Sequence, residues 1–204
     1  MLRMDLYLKQ GGYQSAYPKF GIGSSSNQFY QPIVVSGYPV FQFRYEGAMP
    51  LYDEKNKKLL ALVRDYYYQA TLDMYEYSSL DICFDKAALI IQHVFPQHRV
   101  RDADNRNRKY LIDAIRFTEL IYDDSMDKLL ILEEGYIKKG TLPYVNALLL
   151  DSRNLHDFLP YREEYALKVF KEINESLSWD NFEKKYAEFL QRKMENERAF
   201  KELF

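Results

Sequence analysis

The chain predicts an α+β fold, or a small α/β one: a mixed β-sheet with packed helices and a helical C-terminal extension. Three observations point there. The segment Tyr38–Gly47 alternates Val40, Gln42 and Arg44 with Phe41, Phe43 and Tyr45, the period-two pattern of a strand with one aromatic face. The run AALIIQHV at 87–94 is apolar on both phases, as a strand buried on both faces would be. Between and after these lie stretches with helical spacing, so strands and helices interleave rather than segregate.

In chain order, residues 1–37 read as an arm, with Met4–Leu8 as a short strand and GIGSSSNQFYQP as loop. After the Tyr38–Gly47 strand, AMPLYDEKNKK turns into a long helix over about Glu54–Tyr75, with Leu59, Leu60, Val63, Tyr67 and Leu72 as its apolar side. YSSLDICF is a turn, and the apolar strand at 87–94 is stopped by Pro96. A basic, Asn- and Asp-rich loop, RVRDADNRNR, precedes a helix from Lys109 to about Leu120, whose Leu111, Ile112, Ile115 and Leu120 face the core. YDDSM is a turn, Lys128–Glu134 a third strand, GYIKKGTLP a hairpin-like connection, and Tyr144–Leu150 a fourth strand. The character changes at Leu155. Glu163–Leu177 has a helical stripe of Ala166, Phe170, Ile173 and Leu177, and Asp180 with Glu183 forms a capping box for a final helix. The expected organisation is therefore an arm at 1–37, a core at 38–152 and a helical extension at 153–204.

Composition narrows the function classes. Apolar residues make up 47% of the chain, enough to fill a core and to exclude a disordered polymer. The 28 basic and 30 acidic residues give a net charge of -2, so any nucleic-acid binding must be local rather than global. With one cysteine and three histidines, an internal disulfide is excluded and a cysteine-rich zinc site has no ligands. No segment reaches membrane-spanning length, and a cytoplasmic location is expected.

The loop between the second strand and second helix carries the chemistry. Asp102 and Asp104 are two apart, so in extended backbone their carboxylates leave one face and converge on a divalent ion, whose charge offsets their repulsion. Hard oxygen ligands suit Mg²⁺, with Mn²⁺ as a substitute. Asp124 closes the cluster from the later turn, and Asp123 serves as a turn or supporting group. Lys109 is placed to meet a phosphate or the charge of its transition state. Arg99, Arg101, Asn105, Arg106 and Arg108 form the substrate-binding surround, which Arg116 extends; phosphate contacts of this kind give position, not base specificity. His98 is a phosphate contact or a base. Taken singly, each piece has a plainer explanation. A D-x-D is usually a solvated turn, paired acids cap turns, and the arginines pair with nearby acids on the surface. His93 within its strand reads as a structural side chain, Asp113 as a buried partner of an arginine or a supporting group, and His156 as a surface residue.

Taken together, the ordered set resembles the RusA-type endodeoxyribonucleases, the Holliday junction resolvases of bacteria and phages. It consists of an apolar strand, Pro96, Arg99, Arg101, Asp102-x-Asp104-Asn105, Lys109, Asp113-Ala114 and Asp123-Asp124, and the likeness spans about residues 40–150. The resemblance implies a Mg²⁺-dependent cluster on Asp102, Asp104 and Asp124, assisted by Lys109. It implies a homodimer that cuts four-way junctions in DNA recombination and repair, and members of the family are typically carried by phages and mobile elements. Two departures stand out. Asn105 and Lys109 are one residue further apart than in the family, and its proline-rich segment is reduced to Ala48-Met49-Pro50. The rival expectation is an inactive scaffold of the same type, acting as a DNA-binding, regulatory or protein-interaction protein, with the helical tail as the surface for a protein partner.

Overall fold

A computed structural model of the chain describes residues 29–97 and 105–167, together with Lys184, Ala187, Glu188 and Gln191. The chain divides into two compact units, Phe29–Trp179 and a second made of Met1–Gln28 with Asp180–Phe204. In the second unit the four described residues are helical and exposed. The short strand expected at Met4–Leu8, the helix beyond Leu167 and the capping box at Asp180 lie outside the described residues.

The first unit is α+β. Its sheet has five strands: β1 (Ile33–Val35), β2 (Tyr38–Glu46), β3 (Ala87–Phe95), β4 (Leu129–Ile137) and β5 (Tyr144–Asp151), in the order β1-β2-β5-β3-β4. Only β3 and β4 run parallel. The helices are α1 (Lys57–Leu72), α2 (Lys109–Arg116), α3 (Leu155–Phe158) and α4 (Arg162–Leu167).

β1 lies inside the stretch read as an arm. Ser36 and Gly37 both adopt positive φ, 47° and 88°, and join β1 to β2 as a two-residue hairpin with Val35 opposite Tyr38. The dipeptide Ser-Gly after IVV was the available signal. β3 lies inside the sheet, between β5 and β4, as its unbroken apolar run predicts, and eight of its nine residues are buried. A second correction concerns GYIKKGTLP. It is not a hairpin between neighbours: Gly135–Ile137 complete β4, and β5 then crosses to the far side of β3 and pairs with β3 and β2. β5 carries YVNALLL, buried throughout, and belongs inside the sheet; β4 carries LLILEEGYI, half-exposed, and takes the edge.

α1 also differs from expectation. Asn56 caps it, accepting from the Leu59 amide at 3.1 Å. Leu59 is exposed and Leu60, Val63 and Leu72 are only half-buried, whereas the consecutive Tyr66, Tyr67 and Tyr68 are buried. The physical reason lies in β2. Beyond the short β1 its edge would leave backbone groups bare, and tyrosine hydroxyls near α1 meet them. Tyr75 both accepts from the Gln42 amide at 2.9 Å and donates to the Gln42 carbonyl at 2.8 Å, while Tyr66 accepts from the Glu46 amide at 2.8 Å. The rings fill the core on that face, with Tyr45 stacked on Tyr67 and Phe41 and Phe43 edge-on to Tyr75. On the opposite face Val40, Ala88, Ile90, Leu148, Leu150 and Phe158 pack together beneath α3. Among the described residues, no helix is long and apolar enough to cross a membrane.

Candidate nuclease site

The parallel pairing of β3 and β4 positions the candidate site. The chain leaves the end of β3 at Phe95, passes through the loop, runs back along α2 and turns at Tyr122–Ser125 before entering β4. Among the candidate residues, His98, Arg99, Arg101, Asp102 and Asp104 lie outside the described residues. Asn105, Arg106, Arg108, Lys109, Asp113, Arg116 and Asp124 lie within them.

The end of the loop is tied down by the segment after β2. The Tyr52 amide donates to the Asn105 carbonyl at 3.2 Å, and the Asn107 amide donates to the Pro50 carbonyl at 2.9 Å. Leu51 and Arg106 form an antiparallel bridge, and Arg106 Nη1 donates to the Met49 carbonyl at 2.8 Å. The reduced proline segment is thus the strut against which the loop is held. The extra residue between Asn105 and Lys109 falls before the helix, whose first residue is Lys109, so it leaves the face that Lys109 presents within α2 unchanged.

Along α2 the charges form an alternating row. Lys109 Nζ lies 3.0 Å from Asp113 one turn on, and Arg116 Nη1 lies 2.9 Å from Asp124 Oδ1. The spacing 109, 113, 116 puts these side chains on one helical face. Asp113 is largely buried, at 13% side-chain exposure, while Lys109 projects into solvent at 69%. Asp113 therefore pairs with a lysine one turn back, where an arginine was expected. Desolvation lowers the tendency of Arg116 to hold its proton, but the hydrogen bond and charge of Asp124 outweigh that, and its pKa is raised. Asp123 accepts from the Asp124 amide at 2.9 Å, and hydrogen bonds with Ser125 and that amide hold its carboxyl below the usual range. This is the turn-stabilising part expected of it. Lys109 and Asp124 belong to two separate ion pairs at opposite ends of a helix about 12 Å long, and Asp113 acts on Arg116 only through space.

A further cluster sits beneath the start of α2. His93 Nε2 donates to Glu133 Oε1 at 2.7 Å, and Arg108 Nη1 donates to Glu133 Oε2 at 2.8 Å. Burial alone would raise the Glu133 carboxyl; the hydrogen bonds and charge of His93 and Arg108 outweigh it and hold the carboxyl below the usual range. His93 is stacked on Phe95, and its Nδ1 is buried with no partner among the described residues, so it is only half satisfied. Glu133 was missed at the sequence level. Leu129–Leu132 is apolar on both phases, so alternation along the strand did not single it out. His156 is exposed on α3, as expected.

Among the described residues, which do not include Asp102 and Asp104, no group of three or more His, Cys, Asp or Glu side chains is gathered as a metal site.

No family model matches the chain. No curated protein matches it either. Among solved structures, CetZ from Methanosaeta thermophila strain DSM 6194 is similar at 17% identity and a TM-score of 0.21, over 79% of this chain and 37% of that one. The chain thus spans just over a third of CetZ, and a likeness of this degree carries no argument about fold or function.

Proposed function

We propose that the chain is a divalent-metal-dependent endodeoxyribonuclease that hydrolyses phosphodiesters at branched DNA, four-way junctions above all. The observation that carries this is the ordered set Asp102-x-Asp104-Asn105, Lys109, Asp113-Ala114 and Asp123-Asp124, which resembles the RusA-type resolvases. The charged row on α2 is consistent with it, because the pairs Lys109–Asp113 and Arg116–Asp124 lie along one helical face. A homodimer would match the twofold symmetry of a junction, and a cytoplasmic location and a protein partner for the helical tail belong to the same proposal.

Asp102, Asp104 and Asp124 would hold Mg²⁺, or Mn²⁺ in its place. The donor chemistry fits, since all are carboxylates and Asp124, one-third exposed, is engaged by Arg116 in a surface contact that an entering cation can displace. When bound, the ion supplies Lewis-acid stabilisation and a water of lowered pKa. Lys109 exchanges Asp113 for the non-bridging oxygens of the scissile phosphate, and Arg99, Arg101, Arg106 and Arg108 hold the flanking backbone, with Asn105 orienting the loop. Water adds to phosphorus, the bond to the 3′ oxygen breaks, and that oxygen takes the proton. The products carry 5′-phosphate and 3′-hydroxyl ends.

The test is cleavage of a synthetic mobile four-way junction beside matched linear duplex, with Mg²⁺ and with EDTA. Symmetric nicks on the junction alone are expected, dependent on metal. They should be lost in Asp102→Asn, Asp104→Asn and Asp124→Asn while junction binding survives, because the arginine contacts remain. Wild-type cutting by all three variants would overturn the proposal. Metal-independent binding without cutting would mark a scaffold that has kept DNA recognition and lost turnover.

A further inference from the structure

The entry to α2 is held by the ends of β3 and β4. His93 and Phe95 share one face of β3 by strand alternation, and Glu133 of β4, opposite Ile91, lies on that face too. The Phe95 ring stacks on His93, and the Arg106 guanidinium lies 5.5 Å from the Phe95 centroid. Glu133 divides its carboxylate between two donors. Oε1 accepts from His93 Nε2 at 2.7 Å, and Oε2 accepts from Arg108 Nη1 at 2.8 Å. An arginine and a carboxylate often close as a fork, with two parallel N–H···O bonds. Here His93 occupies the second oxygen, so Glu133 meets Arg108 through Nη1 alone. The Nε–Nη2 edge of the guanidinium, a pair of parallel donors, therefore has no partner among the described residues. The Glu133 side chain is 12% exposed and that of Arg108 39%, so the acid is enclosed while the guanidinium reaches solvent.

Two cations thus stand side by side at this helix start, and they differ in kind. Lys109 is paired with Asp113 at the surface, an arrangement that fixes its long chain weakly. Arg108 is tethered to an enclosed acid that a histidine holds in turn, so its rotamer freedom is already restricted. The charge of Glu133 also offsets the general attraction that Arg108 exerts on DNA. Such a tether gives direction rather than affinity, which suits a group acting on charge that builds at one phosphate. We propose that Glu133, steadied by His93, is a positioning residue for phosphodiester cleavage: it aims the open edge of Arg108 at the non-bridging oxygens of the scissile phosphate. This rests on the nuclease reading, and it moves Arg108 from the flanking backbone to the scissile phosphate, beside Lys109.

Single-turnover cleavage of the mobile four-way junction with Mg²⁺, and junction binding in EDTA, test it on the full chain. Glu133→Gln should cut at least about tenfold more slowly, while its Kd is unchanged or lower because a negative charge near the DNA is gone. Glu134→Gln loses the same charge from the next residue of β4, which pairs with Arg162, and should keep the wild-type rate. Arg108→Ala alone and combined with Glu133→Gln should cut at one rate, because Glu133 acts through Arg108; a purely structural part would make the losses multiply. Arg108→Lys keeps a charge for Glu133 but has no second edge. It should melt as the wild type does and cut as slowly as Arg108→Ala, so it reads the proposal even if Glu133→Gln folds poorly. Wild-type cutting by Glu133→Gln or Arg108→Lys, or multiplied losses in the double variant, would overturn this proposal and leave the nuclease reading standing. A wild-type chain that cuts no junction would overturn both.

Discussion

Glu133 shows how one side chain couples two elements. It sits on the edge strand β4, yet its two oxygens hold His93 from the neighbouring strand β3 and Arg108 from the entry to α2. Its depressed pKa fixes the sign of a pH effect. The cluster contributes stability above the ordinary glutamate value of 4.5, and that contribution is lost as pH falls through the lower folded value. Glu133→Gln should therefore flatten the acid limb of a Tm-against-pH profile below about pH 4.5, while the wild type falls steeply there. Identical acid limbs would remove Glu133 from that role. Asp113 is a simpler case. Asp113→Asn frees Lys109 from its ion pair; in a row built for phosphate contact, junction affinity should rise modestly, read as a lower Kd at low salt.

Among elements, β2 is the instructive one, because it has two partners of different kind. Over Tyr38–Val40 it pairs with β1, and from Gln42 on its outer edge is met by tyrosine hydroxyls. Tyr75→Phe keeps the ring and removes both bonds to Gln42, so it should cost about 1–3 kcal/mol and speed hydrogen exchange at the Gln42 amide. Unchanged exchange there would mean that the ring, not the hydroxyl, holds this edge. The hairpin offers a second measurement at this scale. Gly37 has φ of 88° and nothing near where a Cβ would stand, so Gly37→Ala costs only the backbone strain of a left-handed position, about 1–2 kcal/mol by denaturant melts.

For the whole molecule, the decisive feature is the insertion of β5 between β2 and β3. It creates a core on both faces of the sheet and leaves β4 outside, beside the turn that carries Asp124. Ile90 sits on β3 in the cluster beneath α3, fully buried. Ile90→Ala should cost about 2–5 kcal/mol in a denaturant melt, more than any surface change near α2. A loss below about 1 kcal/mol would mean the sheet is not the stabilising layer.

What the sequence determined by itself were the properties local in the chain. The two-phase apolar run put β3 inside the sheet, the spacing of apolar residues after Glu54 made a helix, and Asp123-Asp124 made a turn, because alternation, helical periodicity and turn chemistry act between residues a few positions apart. The candidate row was legible in part for the same reason: Lys109, Asp113 and Arg116 share a face by helical spacing alone. Only the tertiary structure decided that β5 pairs across β3 instead of with β4, that tyrosines rather than leucines bury α1, that Met49–Tyr52 braces the loop, and that Glu133 meets His93 and Arg108 beneath the start of α2. Each depends on which strand edges lie unpaired and which distant groups meet there, a long-range outcome that no local pattern encodes.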